Sequence, residues 1–226
     1  MNLGLRERVA IVGGSSRGMG KATALALARE GAYVTICARN EGDLRSTAME
    51  IARITSQSHV LAVSRDLSQY EDIRRVVRDT LNRFDRIDIL VNNIGGPPVG
   101  KATELDDESW MEAFQQNFLS ATRMSREVVP LMKQQGWGRI INLLSISIRT
   151  PVEGLVLSTA VRMAVAGFAK ALSDEVAPFN ITVNNVLPGY ILTDRLRSLK
   201  EMEAQKSGRD LGDLMKETAK GVPLGR

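Results

Sequence analysis

Gly13-Gly14-Ser15-Ser16-Arg17-Gly18-Met19-Gly20 is the first run in this sequence with a spacing that suggests chemistry. Its pattern is Gly-x3-Gly-x-Gly, between a β-branched run and a helical pattern. Glycines let a backbone turn tightly and approach a pyrophosphate, and the helix that follows offers free N–H groups and the positive end of its dipole. Gly14, Ser16, Arg17, Gly18, Met19 and Gly20 are therefore candidate phosphate ligands. The next run after a strand pattern is Cys37-Ala38-Arg39-Asn40, with no acid until Glu41. A carboxylate there would accept from a ribose 2′-hydroxyl, whereas arginine pairs with a 2′-phosphate. Arg17 and Arg39 thus favour NADP(H) over NAD(H), the other reading being two exposed arginines at helix starts.

Other chemistries are excluded by count. The chain has one cysteine, Cys37, and one histidine, His59. That leaves no Cys/His zinc site, and no Ser-His-Asp triad unless His59 is its base. A net charge of +4 is a mild bias with scattered basic residues, and aromatics are only 4%. Neither suits nucleic-acid binding. No apolar run approaches a membrane span and no leader pattern precedes the first strand, so a cytoplasmic protein is expected.

These residues need elements to hold them. Strands are predicted at Val9–Gly13, Tyr33–Ala38, His59–Val63, Ile87–Asn92, Gly138–Leu144 and Ile181–Leu187. Helices are predicted at Gly18–Glu30, Gly42–Ile54, Glu71–Phe84, Glu108–Gln134 and Leu157–Val176. Alternating βαβα with nearly continuous apolar strands predicts an α/β, Rossmann-like doubly wound parallel sheet of order 3-2-1-4-5-6. One domain of 1–226 is expected. Its polar, Lys/Glu-rich residues 194–226 read as a loosely helical segment, either a mobile substrate lid or a solvated surface helix.

In this frame the chain resembles the short-chain dehydrogenase/reductase family, in its 3-oxoacyl-(acyl-carrier-protein) reductase-like branch. The resemblance spans nearly the whole length. Asp66-Leu67 looks like the family's adenine-contacting pair, and Asn92-Asn93-Ile94-Gly95 like its Asn-Asn-Ala-Gly motif. Asn117 is similar to the active-site Asn, and Ser145 to the catalytic Ser. Pro188-Gly189, with Ile191 and Thr193, resembles the segment near the nicotinamide amide. The resemblance implies cofactor contacts from Asp66, Leu67, Asn93, Gly95, Arg162, Pro188, Gly189, Ile191 and Thr193.

One departure stands out. Where the family has Tyr-x-x-x-Lys, this chain has Ser158-Thr159-Ala160-Val161-Arg162, and its only tyrosines are Tyr33, Tyr70 and Tyr190. Arg162 keeps a positive charge but cannot shuttle a proton, and Ser158 is a poorer acid than a phenol. General acid–base catalysis is typically worth ~10²–10⁴-fold. The resemblance thus implies an NADP(H)-dependent oxidoreductase of a small carbonyl or acyl-thioester compound with an atypical site, or else a catalytically impaired NADP(H)-binding pseudoenzyme serving as sensor or assembly subunit. Tyr190 or an ordered water would supply the proton in the first case. The resemblance also implies a homodimer or homotetramer. Family members continue past Pro223-Leu224-Gly225-Arg226 with a helix and a seventh strand, which this sequence does not supply.

Overall fold

Val9–Gly13 is apolar and buried along its whole length, so it can sit only at the middle of a sheet covered on both faces, and it does. In the computed structural model, which describes residues 3–225, β1 (Val9–Gly13), β2 (Tyr33–Ala38), β3 (Val60–Ser64), β4 (Ile89–Asn92), β5 (Gly138–Leu143) and β6 (Ile181–Val186) lie in the order β3-β2-β1-β4-β5-β6. Every pairing is parallel. The predicted α/β architecture and strand order are therefore those observed.

Strand side chains alternate between two cores, as a period of two requires. Ile11, Leu90 and Ile140 face one core. It is completed by Ile73 and Val76 of α3 (Tyr70–Phe84), Met124 and Val128 of α5 (Ser120–Gln135), and Leu172 and Val176 of α6 (Val156–Val176). Ala10, Val12, Ile36 and Ile89 face the other, against Ala24 and Ala28 of α1 (Gly18–Arg29) and Leu44 and Ile51 of α2 (Glu41–Ile54). Each fully buried aliphatic side chain stabilises the fold by about 1.5–3 kcal/mol. Truncating Ile11 to Ala in β1 would cost about 2–5 kcal/mol.

The structure moves several expected boundaries. His59 does not open β3; it closes a 3₁₀ turn at Gln57–His59, where its ring stacks on Tyr33 with centroids 4.6 Å apart. β4 starts at Ile89 rather than Ile87. Ahead of it the Asp88 carboxylate is tied to Arg8, Arg86 and the Val9 N–H. The long helix expected over Glu108–Gln134 is interrupted. α4 (Asp107–Ala113) passes into one π-helical stretch, Phe114–Leu119, before α5. Helix α6 is long and apolar enough by composition to cross a membrane, which the absence of an unbroken apolar run had not suggested. Its Leu157, Val161, Val165, Ala169, Leu172 and Val176 are instead buried, a repeat of three to four residues that marks a helix packed on a core.

Contacts divide the chain into two compact units, Met1–Leu187 and Pro188–Arg226. The second holds two well-formed helices where only loose helix was expected: α7 (Asp194–Ser207) and α8 (Leu211–Lys220). The signals were local. Thr193 Oγ1 accepts from Leu196 N and Asp210 Oδ1 from Asp213 N, capping both starts. Gly208, at φ +70°, ends α7 in the left-handed conformation that glycine takes without a Cβ penalty. Arg209 then pairs with Glu217 at 2.6 Å.

Candidate active site

The glycine turn is built as a cradle. Gly14 has φ +54°, and a Cβ placed on it would lie 2.7 Å from the Asn93 carbonyl oxygen, so no other residue fits without displacing β4's end. A Cβ on Gly20 would collide with the Gly14 carbonyl. Asn93 Nδ2 donates to Gly13 O at 3.0 Å and to Gly14 O at 3.1 Å, fastening the turn to the segment after β4. Ser15 is buried; its Oγ donates to Val12 O and accepts from Cys37 N, each at 2.8 Å. Thr47 of α2 donates to Ser16 O at 3.1 Å. The backbone is thus held from three sides before any ligand arrives.

The start of α1 is left open. Arg17 occupies the N-cap position without a capping side chain, so the first-turn N–H groups, from Gly18 onward, carry the unpaired positive end of the helix dipole. A rigid glycine turn feeding an uncapped helix start fits a pyrophosphate. Beyond Asn93 and Ile94, nothing lies within 4 Å of a Cβ built on Gly95, which is exposed.

Arg17 and Arg39 are both exposed, Arg39 directly after β2. Among the described residues neither guanidinium makes a hydrogen bond or ion pair. Asp66, after β3, accepts from Ser68 N at 2.9 Å, and buried Leu67 lies against Gly13. Cys37 is buried, and burial pushes its thiol up to about 12, with its contact to the Arg65 main chain opposing only in part.

A second constellation lies at the carboxyl ends of β4 and β5. A pocket of about 20 Å³, room for one water, is lined there by Asn92, Ile94, Asn117, Asn142, Leu143 and Arg162 among others. Arg162 is clamped. Its Nε donates to Ser158 Oγ at 3.1 Å, and its two terminal nitrogens donate to Leu143 O at 2.9 Å and Ile94 O at 3.5 Å. Ser158 and Arg162 lie four residues apart on α6, which puts them on one helix face. Ser158 is buried. As acceptor of the Nε–H, its hydroxyl keeps its own proton to donate.

Asn117 is buried within the π-helical stretch, and its Nδ2 donates to Ala113 O at 3.3 Å, leaving Oδ1 as an acceptor. Such single-turn bulges often mark functional sites, because they re-aim one side chain. Ser145 follows β5; its Oγ accepts from Ser147 N at 3.1 Å, which fixes the hydroxyl's position. The Ser147 hydroxyl beside it is buried and has no partner among the described residues.

Of the sequence candidates in the first unit, Asn117 and Arg162 meet around one pocket with Asn93, and Ser158 joins them through Arg162. Pro188, Gly189, Tyr190, Ile191 and Thr193 belong to the second unit, where Tyr190 is 45% exposed and Thr193 caps α7. Sequence reasoning missed Asn142. It sits in register between Asn92 and Asn185, accepting from the first and donating to the second at 2.9 Å each. A polar residue inside Arg139-Ile140-Ile141-Asn142-Leu143 was the only available signal.

Residues 8–204 match the family model described as short chain dehydrogenase. The 3-oxoacyl-[acyl-carrier-protein] reductase of Synechocystis sp. is 34% identical over 86% of this chain and 78% of its own. The crystal structure of L-sorbose reductase from Gluconobacter frateurii, complexed with NADPH and L-sorbose, superposes with a TM-score of 0.93 at 31% identity, covering 100% of this chain and 86% of that one. A variant of the actinorhodin polyketide ketoreductase with NADPH gives 0.92 at 32% identity, over 97% and 84% of the two chains.

Proposed function

The chain belongs to the short-chain dehydrogenase family, and from that premise we propose that it is an NADP(H)-dependent oxidoreductase of a small carbonyl or acyl-thioester compound, with Ser158 and Arg162 standing where the family places its tyrosine and lysine. The observation that carries this reading is the fastened glycine turn feeding the uncapped start of α1.

In this reading the N–H groups of Gly14, Ser16, Gly18, Met19 and Gly20 hold the pyrophosphate, and Arg17 and Arg39 pair with a 2′-phosphate. The NADPH in both solved relatives supports that choice. Asp66 and Leu67 border the adenine, Asn93 and Gly95 the ribose, and Pro188, Gly189, Ile191 and Thr193 the nicotinamide amide. When bound, the nicotinamide supplies or accepts hydride. Ser145 donates to the substrate oxygen, Asn117 holds a water in the pocket it lines, and Arg162 donates to the ribose while keeping Ser158 turned toward the reacting oxygen. Tyr190 or the held water is the proton source for a carbonyl product.

One observation favours the impaired-enzyme reading. The Arg162 guanidinium is engaged by two main-chain carbonyls and Ser158, and no group in that cluster ionises near neutrality. Exposed Met111, Phe114 and Met163 on the α4 to α6 helices support assembly of like chains.

Titration of NADPH and NADH by fluorescence, followed by turnover across ketones and β-ketoacyl thioesters, tests the proposal. Tighter NADPH binding with substrate-dependent oxidation is expected. Binding without turnover of any substrate selects the pseudoenzyme, and no binding of either cofactor overturns both readings. Gain of ketone reduction in the Ser158→Tyr, Arg162→Lys double variant would show that only the acid is missing.

A further inference from the structure

Asp66, Leu67 and Ser68 follow one another directly after β3, yet each reaches a different part of the molecule. Asp66 borders the adenine in the reading above. Its Oδ1 accepts from Ser68 N at 2.9 Å, which leaves the second carboxylate oxygen for the amino group of a base. Leu67 is buried against the glycine turn, with its Cδ1 3.0 Å from a Cβ built on Gly13. The Ser68 carbonyl goes to the helices instead. That one oxygen accepts from Arg123 Nη1 at 3.0 Å and from Gln115 Nε2 at 3.4 Å. The two donors lie on either side of Asn117, Gln115 inside the π-helical stretch Phe114–Leu119 and Arg123 beyond it on α5. Tyr70, at the start of α3, braces the same junction. The Arg123 and Arg126 guanidinium groups lie 5.8 and 5.1 Å from its ring centroid, and its hydroxyl donates to Glu127 at 2.7 Å.

A π-helical turn holds one residue more than an α-helical turn and is rare without contacts that favour it. If Phe114–Leu119 relaxed to α-helix, the register on one side would shift by one residue, a rotation of about 100°. That rotation would carry Asn117 off the pocket it lines. The geometry points to Arg123, with Gln115, as positioning residues that couple the adenine end of the cofactor to Asn117. The inference rests on the nicotinamide-cofactor reading above and adds a regulation of the same site. Adenine held at Asp66 orders the 66–68 turn. The Ser68 carbonyl then holds Arg123 and Gln115, and these keep the π-helical stretch in the register that aims Asn117 into its pocket. A ligand shifts such an equilibrium only by its differential affinity for the two states. Here the difference lies in the Asp66 contact, which the ordered turn presents. Neither Arg123 nor Gln115 lines the pocket. Binding at the non-reacting end of the cofactor thereby orients a group at the reacting end.

Hydrogen exchange of the full chain, read by mass spectrometry, tests this coupling without requiring turnover. The probe is adenosine 2′,5′-bisphosphate, which carries the adenine end of NADP(H) and no nicotinamide. Saturation with it should slow exchange of the 114–119 amides at least about threefold, because local opening of that stretch becomes rarer. Arg123→Met should bind the probe with a dissociation constant within about twofold of wild type. It should keep the slowing at the start of α1, where the phosphate sits, and lose it at 114–119. Arg123→Lys, which returns a charged donor, should restore the effect. Gln115→Met, which lacks only the longer bond, should weaken it and gives the same reading where Arg123→Met does not fold. A merely structural Arg123 would speed exchange with and without the probe alike, so an unchanged ratio in Arg123→Met would overturn the inference. So would exchange at 114–119 in the wild type that ignores the bound probe. Both results leave the cofactor reading standing. Failure of the probe to bind the wild type would overturn that reading, and the inference with it.

Discussion

Arg162 Nε lies 3.1 Å from Ser158 Oγ, and the same guanidinium reaches Leu143 O of β5 and Ile94 O beyond β4. One side chain therefore joins the first turns of α6 to the ends of two central strands. Lysine, with a single nitrogen at the tip, cannot span these three acceptors at once. We predict that Arg162→Met destabilises the chain by about 2–3 kcal/mol, since hydrogen bonds to a charged group contribute ~1.5–3 kcal/mol each but are not additive. Arg162→Lys should recover less than half of that loss. Urea unfolding of the three proteins measures it, and an unchanged midpoint in Arg162→Met would show that the clamp does not contribute.

Gly14 carries a different kind of constraint. Its φ of +54° and the 2.7 Å approach of its missing Cβ to Asn93 O make alanine costly twice over. Strain at a left-handed residue is of order 1–3 kcal/mol, and displacement of Asn93 would also release its bonds to Gly13 O and Gly14 O. The Gly14→Ala variant should lose thermal stability and bind NADPH at least about tenfold more weakly, ~1.4 kcal/mol. Gly136→Ala serves as the control. It also has positive φ, at +63°, but no atom lies within 4 Å of its Cβ, so cofactor affinity should be unaffected.

The strand order and the glycine turn were readable because apolar period and glycine spacing are local properties of the chain. The π-helical turn at Asn117 was not, since Trp110, Phe114 and Phe118 keep a helical spacing and nothing in residue type demands one extra residue in the turn. The row Asn92–Asn142–Asn185 was hidden for another reason: it exists only once parallel register places three distant strands side by side. Tertiary partners also decided Arg162. Its charge was visible, but the two carbonyls that hold it come from residues 19 and 68 positions away. In the 194–226 segment the caps were legible at Thr193 and Asp210, but low apolar content masked the helices behind them.

Arg17 and Arg39 decide the cofactor in the proposed function. Each charge-assisted contact to a phosphate is worth about 1.5–3 kcal/mol. Arg39→Ala should weaken NADPH binding by roughly tenfold to a hundredfold and leave NADH binding nearly unchanged. Arg17→Ala should act in the same direction. Because both side chains are exposed and unpaired among the described residues, neither substitution should shift the melting temperature by more than a degree or two. Equal losses for NADPH and NADH would remove the 2′-phosphate as the ligand of these arginines.

Asp88 gives the pH dependence a definite sign. Its side chain is wholly buried between Arg8, at 2.9 Å, and Arg86, at 2.6 Å. Burial alone would raise its carboxyl, but hydrogen bonds from Arg86, the Val9 N–H and Arg8 outweigh it and hold the group below the usual carboxylate range. A carboxyl whose folded pKa is depressed stabilises the fold above its unfolded pKa, ~3.9, and loses that contribution as pH falls through the folded value. Below pH ~4 the wild type should therefore lose stability steeply. Asp88→Asn removes the charge at every pH and leaves Arg8 and Arg86 without their shared partner. Because both arginines left behind are partly exposed and can be hydrated, the cost is that of the lost charge-assisted hydrogen bonds, about 1.5–3 kcal/mol. The variant should be less stable at neutrality by that order, and its stability should fall less steeply between pH 5 and the acid limit. Urea unfolding of both proteins across this range decides the matter: parallel curves would mean that Asp88 is not the group whose protonation drives acid unfolding.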